Sequence, residues 1–254
     1  MHPAVPPELA CCLKSLGSVG VLLSGGADSE ALLRAAADVL GPGSVAAYTA
    51  DSPLLAGHYR RAVRSLAGRL GVAHRFVPWD PLAADGVRRN GPDRCYHCKR
   101  AIFSVLIREV RSDGLAAAVD GTNTDDLARH RPGNAAAEEL GVRRPFVEAD
   151  MSGAEVRSLG AALGMAAFVP SDSCLATRLP EGEPLSLREL ALVEELEAPL
   201  RPLVRQRFRV YLEGTRVMVH YRRADATAVN RMKETLKDRA RGEGVGRVVF
   251  VLED

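Results

Sequence analysis

The amino-acid sequence predicts an α/β protein, a parallel-sheet domain followed by a smaller C-terminal α+β domain. Three observations point there. Short apolar runs alternate with helix-period segments over the first two thirds of the chain, a glycine-rich turn joins the first apolar run to the next helix, and the composition shifts after Cys174. Strands that alternate with helices of this length form parallel sheets covered on both faces.

The elements follow in order. "SVGVLLS" (18–24) reads as a buried strand, with a helix from Asp28 to Leu40 after it. "SVAAYTA" (44–50) and "VAHRFVP" (72–78) read as strands on either side of the amphipathic helix "GHYRRAVRSLAGRLG" (57–71). "KRAIFSVLIREVRSDG" (99–114) is helical in period and "LAAAVDG" (115–121) is a fourth strand. "RLPEGEPLS" (178–186) is a Pro/Gly-rich connector whose Ser186 is suited to cap the helix "LRELALVEELEAPL". A hairpin turning at Glu213-Gly214, a helix near 224–241 and the strand "GRVVFVLED" complete the tail. The domain boundary is therefore drawn between residues 1–179 and 180–254.

Bulk properties narrow the function. A chain of 254 residues, 46% hydrophobic and 26% charged, has the composition of an ordinary globular protein with ample core. A net charge of +2 argues against a nucleic-acid coat or a membrane-surface protein, so any anion binding must be local. No apolar run is long enough to span a bilayer, and "MHPAVPPELACC" lacks the features of a signal peptide, so a cytoplasmic protein is expected. In that compartment five cysteines are poor evidence for disulfides. Cys11 and Cys12 lie in an apolar segment and read as small buried hydrophobes, whereas Cys95, Cys98 and Cys174 sit in polar, turn-rich contexts.

The turn "SGGADS" (24–29) has the pattern of an anion site. Gly25 and Gly26 permit a tight backbone and close approach, and free amides at a helix start point at a negative ligand. Ser24 and Ser29 add hydroxyls, and Asp28 makes sense beside phosphate once Mg²⁺ bridges the two. The stretch is neither a Gly-Lys-Ser/Thr loop nor a GxGxxG turn; the plainer alternative is a turn with Asp28 as N-cap. SGGxDS resembles the PP-loop of the ATP-pyrophosphatases, whose fold is a parallel-sheet, adenine nucleotide alpha hydrolase-like domain. The resemblance implies that Ser24, Gly25, Gly26, Asp28 and Ser29 hold the pyrophosphate of ATP and its Mg²⁺.

The pair in "RCYHCK" has the CxxC spacing of metal or redox sites, but without a second CxxC a four-cysteine zinc site is not expected. Cys174 lies near Arg178, a setting that lowers a thiol pKa. The alternative is three unrelated surface cysteines. "DGTNTDDLARHRPGNAAAEELGVRRPFVE" (120–148), the CxxC segment and "CLATRLPEG" (174–182) together resemble, in order and along nearly the whole chain, the LarE family. These are ATP-dependent sulfur transferases that convert the carboxylates of pyridinium-3,5-biscarboxylic acid mononucleotide to thiocarboxylates for the nickel-pincer nucleotide cofactor.

That resemblance implies roles for particular residues. Cys174 matches the sulfur-donating cysteine, which either yields its own sulfur and becomes dehydroalanine or ligates a [4Fe-4S] cluster with Cys95 and Cys98. The presence of all three cysteines favours the cluster form. Arg207 and Arg209 match an Arg-x-Arg pair that grips the substrate phosphate, against the alternative of a solvated strand face. Glu197 matches a helix glutamate able to act as a base, against surface-helix charge. Thr177 and Arg178 belong to the substrate contacts. Asp125 and Asp126 are expected at Mg²⁺ or the ribose, with Thr122 and Asn123 as nucleotide contacts or loop scaffolding. Homo-oligomers are expected, with the C-terminal domain binding substrate or assembling subunits.

The departures are Thr177 where serine is more usual, His58 in place of an acidic residue, Ser152-Gly153 for Thr-Lys, and Met218 or His220 where an acidic residue often stands. The resulting expectation is an enzyme that adenylylates a carboxylate, releases pyrophosphate, and lets sulfur displace AMP. The runner-up is a PP-loop tRNA thiolation enzyme, opposed by the near-neutral charge and the lack of a broad basic, aromatic-interleaved surface. Nucleic acid and membrane are accordingly not expected as partners. A non-catalytic nucleotide or iron–sulfur protein is weaker because the glycine turn is intact, and an amide synthetase gives the cysteines no role.

Overall fold

A computed structural model describes residues 4–128, 132–165 and 174–253. In chain order the elements are α1 (Pro7–Leu16), β1 (Val19–Leu22), α2 (Ala27–Leu40), β2 (Val45–Asp51), α3 (Gly57–Leu70) and β3 (Ala73–Pro78). Then come α4 (Asp85–Arg88), α5 (Arg94–Ser112), β4 (Ala117–Val119), α6 (Thr124–Ala128), α7 (Pro132–Glu139), α8 (Pro145–Glu148) and α9 (Gly153–Ala162). The last are α10 (Leu187–Glu197), β5 (Arg209–Glu213), β6 (Arg216–Arg222), α11 (Ala226–Gly242) and β7 (Arg247–Glu253). They form two compact units, the first of residues 1–52, 59–79 and 95–171 and the second of 53–58, 80–94 and 172–254.

In the first unit the sheet is parallel throughout, in the order β3-β2-β1-β4. Because strand side chains alternate in direction, β1 feeds two cores. Val19 and Val21 join Leu32, Ala36, Val156 and Leu159 on one face, while Leu22 joins Tyr48, Phe103, Leu106 and Val110 on the other. The covering helices thus lie on both faces, as the run of buried residues in β1 requires. Gly20 is dictated by packing: a Cβ there would fall 2.3 Å from a methyl of Val110 on α5.

Helix α9 has no counterpart among the sequence expectations, yet it packs against α2. Its start carries a capping box: the Ser152 hydroxyl accepts from the Glu155 amide, and the Glu155 carboxylate accepts from the Ser152 amide at 2.8 Å. Helix α5 begins at Arg94, earlier than its period indicated, so Cys95 and Cys98 lie on a helix and not in a turn.

The second unit contains the antiparallel hairpin β5–β6, and β7 returns parallel to β6 after α11. Glu213 pairs with Arg216, leaving Gly214 at φ +56° and Thr215 as the turn. Segments far apart in sequence complete this unit. The Leu175 amide donates to Leu54, Gly182 to Asn90 and Leu185 to Arg88, so 53–58 and 80–94 are bound in with the C-terminal residues. Ser186 occupies the N-cap position of α10, but its hydroxyl makes no capping bond. Its backbone carbonyl accepts from Leu190, the ordinary first bond of the helix.

The two N-terminal cysteines are not buried hydrophobes. Cys11 is exposed and Cys12 half-buried, with the Cys12 thiol donating to Glu148 Oε2 at 3.2 Å. Burial and then the adjoining carboxylate push the Cys12 thiol up to about 12. Arg143, bonded to Glu148 at 2.8 Å, holds that carboxyl down near 2. Cys12 is therefore a thiol at every ordinary pH. At about pH 8 its alkylation by iodoacetamide is expected to be at least a hundredfold slower, as an order of magnitude, than that of a thiol with the usual pKa. Glu148→Ala lowers the Cys12 pKa and must speed the reaction; peptide mapping showing equal rates in both proteins overturns this account.

Candidate functional site

The glycine turn follows β1 as strand pairing ends. Gly25 takes φ +86°, and a Cβ on it would lie 2.7 Å from the Tyr59 ring, so both conformation and space call for glycine. Gly26 is the N-cap of α2 and has no side chain to cover the first amides of the helix. The Ser29 hydroxyl donates to the Gly26 carbonyl at 2.9 Å and lies 3.1 Å from the Ser24 hydroxyl. The turn is thus fixed by its own side chains, with a helix start exposed to a ligand.

Facing this turn is the loop after β4. A Cβ on Gly121 would lie 2.8 Å from the Asp28 carbonyl carbon and the Ser29 amide nitrogen, so the loop rests on the first turn of α2. Asn123 Nδ2 donates to Asp28 Oδ2 at 3.4 Å. Thr122 and Asn123 are buried, and Asn123 and Asp126 exchange side-chain-to-amide bonds that start α6. Asp125 Oδ2 accepts the Gly153 amide at 3.2 Å and so anchors the start of α9. The Arg131-Pro132-Gly133 motif is described from Pro132 onward; Arg131 lies outside the described residues, as does "SDS" at 171–173.

Both loops leave the carboxyl ends of adjacent strands. The connection from β1 runs through α2 on one face, and that into β4 runs through α5 on the other. The gap between β1 and β4 is therefore the switch point at which open α/β sheets bind ligands. Its donor set is chemically suited to ATP·Mg: amides and hydroxyls for phosphate oxygens, and Asp28 for a hard cation.

Lys99 and Asp120 escaped the sequence reading. Lys99 Nζ lies 3.0 Å from Asp120 Oδ2, and Asp120 Oδ1 accepts the Thr122 amide at 3.1 Å. The pair ties α5 to the loop after β4. A signal existed: Lys99 stands four residues before Phe103 and continues the buried stripe Phe103, Leu106, Ile107, Val110 back along α5. Cys95, one turn before Lys99, and Cys98, immediately before it, lie three residues apart on one side of the same helix.

In the second unit Cys174 is exposed and precedes a short 3₁₀ turn, Leu175–Arg178. Its carbonyl accepts from the Thr177 hydroxyl at 2.8 Å, and Arg178 Nη1 donates to that hydroxyl at 2.9 Å. Arg178 Nε donates to Glu197 Oε1 at 2.8 Å, with 0% and 1% of the two side chains exposed. Glu197 Oε1 also accepts the Val210 amide of β5, and its other oxygen pairs with Arg201. Glu197 is not a surface charge: its oxygens join the Cys174 segment, α10 and β5. Arg209 is half-buried on β5, while Arg207 is exposed and precedes the strand. The buried Asp225 accepts the Arg205 and Gln206 amides at 2.9 Å, holding the chain that leads into Arg207.

The site residues thus fall in two groups, one per unit. Cys95 and Cys98 belong to the first and Cys174 to the second. Among the described residues no group of three or more His, Cys, Asp or Glu side chains is arranged to hold a metal ion, and no helix is long and apolar enough to cross a membrane.

A parallel sheet in the order 3-2-1-4, with a glycine turn and an acidic helix start at its switch point, defines a Rossmann-like α/β protein. Comparison with known proteins gives the family. No family model matches the chain. It is 36% identical over 205 residues to the pyridinium-3,5-bisthiocarboxylic acid mononucleotide synthase of Lactiplantibacillus plantarum, covering 79% of this chain and 74% of that enzyme. An uncharacterized Synechocystis protein is 36% identical over 194 residues, 76% of this chain and 72% of its own. An uncharacterized Methanocaldococcus jannaschii protein is 34% identical over 129 residues, 51% of each. The chain belongs to the LarE family, that of the bisthiocarboxylic acid mononucleotide synthase.

The buried Arg178–Glu197 pair yields a stability expectation. Glu197→Ala removes the carboxylate that pairs with Arg178 and Arg201 and accepts the Val210 amide, and removing one partner of a buried pair costs about 3–5 kcal/mol. Urea unfolding should show that loss; a change below about 1 kcal/mol, the scale of a surface pair, would contradict the hub.

Proposed function

We propose that this protein is an ATP-dependent sulfur transferase acting on pyridinium-3,5-biscarboxylic acid mononucleotide, in the making of a nickel-pincer nucleotide. The observation that carries the reading is the 36% identity to the bisthiocarboxylic acid mononucleotide synthase over 79% of the chain. The glycine turn supports it with a phosphate cradle at the switch point of the sheet.

In this reading a substrate carboxylate oxygen attacks the α-phosphorus of ATP. The α–β bridging bond breaks and pyrophosphate leaves with its electron pair, held by the amides of Gly25 to Ser29 and the Ser24 and Ser29 hydroxyls. Asp28 would hold Mg²⁺, which would supply positive charge against the phosphate oxygens. Sulfur then attacks the acyl carbon of the mixed anhydride and AMP departs, a sequence that demands exclusion of water. Arg207 and Arg209 grip the substrate phosphate. Glu197 acts as a positioning residue, because its carboxylate binds Arg178, Arg201 and the Val210 amide and is thereby committed.

Sulfur reaches the acyl carbon by one of two routes through Cys174, of which the presence of Cys95 and Cys98 favours the one by way of a cluster. As a sacrificial donor Cys174 loses its Cβ–S bond and a Cα proton and is left as dehydroalanine. Alternatively Cys95, Cys98 and Cys174 would hold a [4Fe-4S] cluster, which supplies an open iron for exogenous sulfide.

Two measurements test the reading. Pyrophosphate release on mixing ATP, Mg²⁺ and the biscarboxylate is expected to fall about a hundredfold in Asp28→Ala. It should fall about tenfold in Gly121→Ala, whose Cβ meets backbone and not a movable side chain. Substrate-dependent pyrophosphate release unchanged in both variants would overturn the site. Iron and labile sulfide in protein purified without oxygen decide the sulfur route. Cluster lost in each of Cys95→Ala, Cys98→Ala and Cys174→Ala supports ligation; no cluster after reconstitution, with dehydroalanine at position 174 after one reaction, supports sacrifice.

A further inference from the structure

Asn90 lies between α4 and α5, wholly buried, with its backbone in the left-handed region at φ +55°. That region favours glycine, asparagine and aspartate. Glycine has no side chain to offer, and here the side chain is used at both of its atoms. Nδ2 donates to the Pro180 carbonyl at 2.7 Å, and Oδ1 accepts from the Arg94 guanidinium. A guanidinium only donates and a carbonyl only accepts, so an aspartate satisfies the first partner and fails the second. Backbone conformation and the two bonds together specify asparagine.

What Asn90 holds is the loop after Cys174. Its carbonyl accepts the Gly182 amide at 2.9 Å, so main chain and side chain grip the same turn, the one closed by the Glu183 amide on the Pro180 carbonyl at 3.3 Å. Two residues earlier, the Arg88 carbonyl accepts the Leu185 amide at 2.7 Å. Arg94 Nη1 lies 3.5 Å from the carbonyl of Ala176, two residues after Cys174. All of these residues belong to the second unit. The stretch 88–94 thus meets the Cys174 segment at residues 176, 180, 182 and 185, and the residue that follows Arg94 is Cys95. Glu197 fixes the segment through Arg178, and Asn90 fixes it from the chain that enters α5.

We propose that Asn90 is a positioning residue for sulfur transfer: it holds the Cys174 segment on the chain that leads into the cysteine pair, and so sets where the Cys174 sulfur stands. The inference rests on the reading of Cys174 as the residue through which sulfur passes. It adds that the two halves of the reaction depend on different parts of the chain. Adenylylation draws on the glycine turn and the loop after β4, whereas the bonds of Asn90 run to residues 87, 94, 180 and 182. Loosening this clasp therefore slows the second half and spares the first.

The test compares whole wild-type protein, purified without oxygen, with two variants. Asn90→Asp keeps the backbone and the bond from Arg94 but turns a carboxylate oxygen on the Pro180 carbonyl. Asn90→Gly adopts the left-handed conformation freely and removes the side chain. Hydrogen exchange read by mass spectrometry should be about tenfold faster in the peptide covering 174–185 of both variants, and unchanged in the peptide covering 19–33. With ATP, Mg²⁺, saturating biscarboxylate and added sulfide, pyrophosphate release should stay within about twofold of wild type, while thiocarboxylate formation in a single turnover slows about tenfold. Unchanged exchange in both variants would overturn the clasp. Faster exchange with thiocarboxylate formed at the wild-type rate, or with pyrophosphate release and thiocarboxylate formation falling together, would overturn the positioning role. A wild-type protein that releases pyrophosphate and makes no thiocarboxylate would overturn the sulfur-transfer reading, and the inference with it.

Discussion

The contact between Gly121 and the first turn of α2 is the constraint from which the first unit's site is built. Adjacent parallel strands lie about 4.8 Å apart, so the chains leaving their carboxyl ends must either diverge or touch. Here they touch, with room for no Cβ. The approach brings Asn123 to Asp28, and Asp120, one residue before Gly121, brings in Lys99 from α5. The glycine turn, the acidic helix start and a lysine from the opposite face of the sheet are thereby gathered at one edge. None of these side chains could be held there by a strand alone, because strand side chains project above and below the sheet and not beyond its end.

The second unit solves a different problem with a buried carboxylate. The Cys174 segment buries Leu175, Ala176 and Leu179, but its 3₁₀ turn is a single turn long. Burying Arg178 against Glu197 fixes it, at the cost of desolvating two charges. That cost is offset because Arg201 and the Val210 amide fill the remaining positions on the carboxylate. The same carboxylate thus orders the segment next to the exposed thiol and the start of the strand that bears Arg209. If Cys174 acts as proposed, that rigidity matters because a misplaced nucleophile loses rate steeply with distance.

Much of this was legible in the sequence, for physical reasons. Buried parallel strands such as Val19–Leu22 are unbroken apolar runs, and Gly25 must be glycine, so strand and turn both announce themselves. The capping-box signature of α9, Ser152 with Glu155, was also present but stood before a short, alanine-rich and weakly amphipathic helix. The CxxC segment read as a turn because "NGPD" precedes it, yet Arg94 opens a helix that the apolar stripe from Phe103 onward sustains. The burial of Glu197 and the exposure of Cys11 were not legible. Both depend on partners distant in sequence, Arg178 and Val210 for one and the packing of α1 beside Glu148 for the other.

Two kinds of donor set suited to anions coexist in a chain of net charge +2. At the glycine turn the donors are amides and hydroxyls, which carry no net charge and sit beside a carboxylate, Asp28. Such a cradle would suit a polyphosphate that brings its own Mg²⁺, since a divalent cation would reconcile phosphate with the acid. On and just before the first strand of the C-terminal sheet the donors are guanidiniums, those of Arg207 and Arg209. That arrangement suits a lone phosphate monoester without a metal, which must be neutralised by the protein itself. In the proposed reading, that division of donors matches an anion that leaves after the first step and one that is held through both.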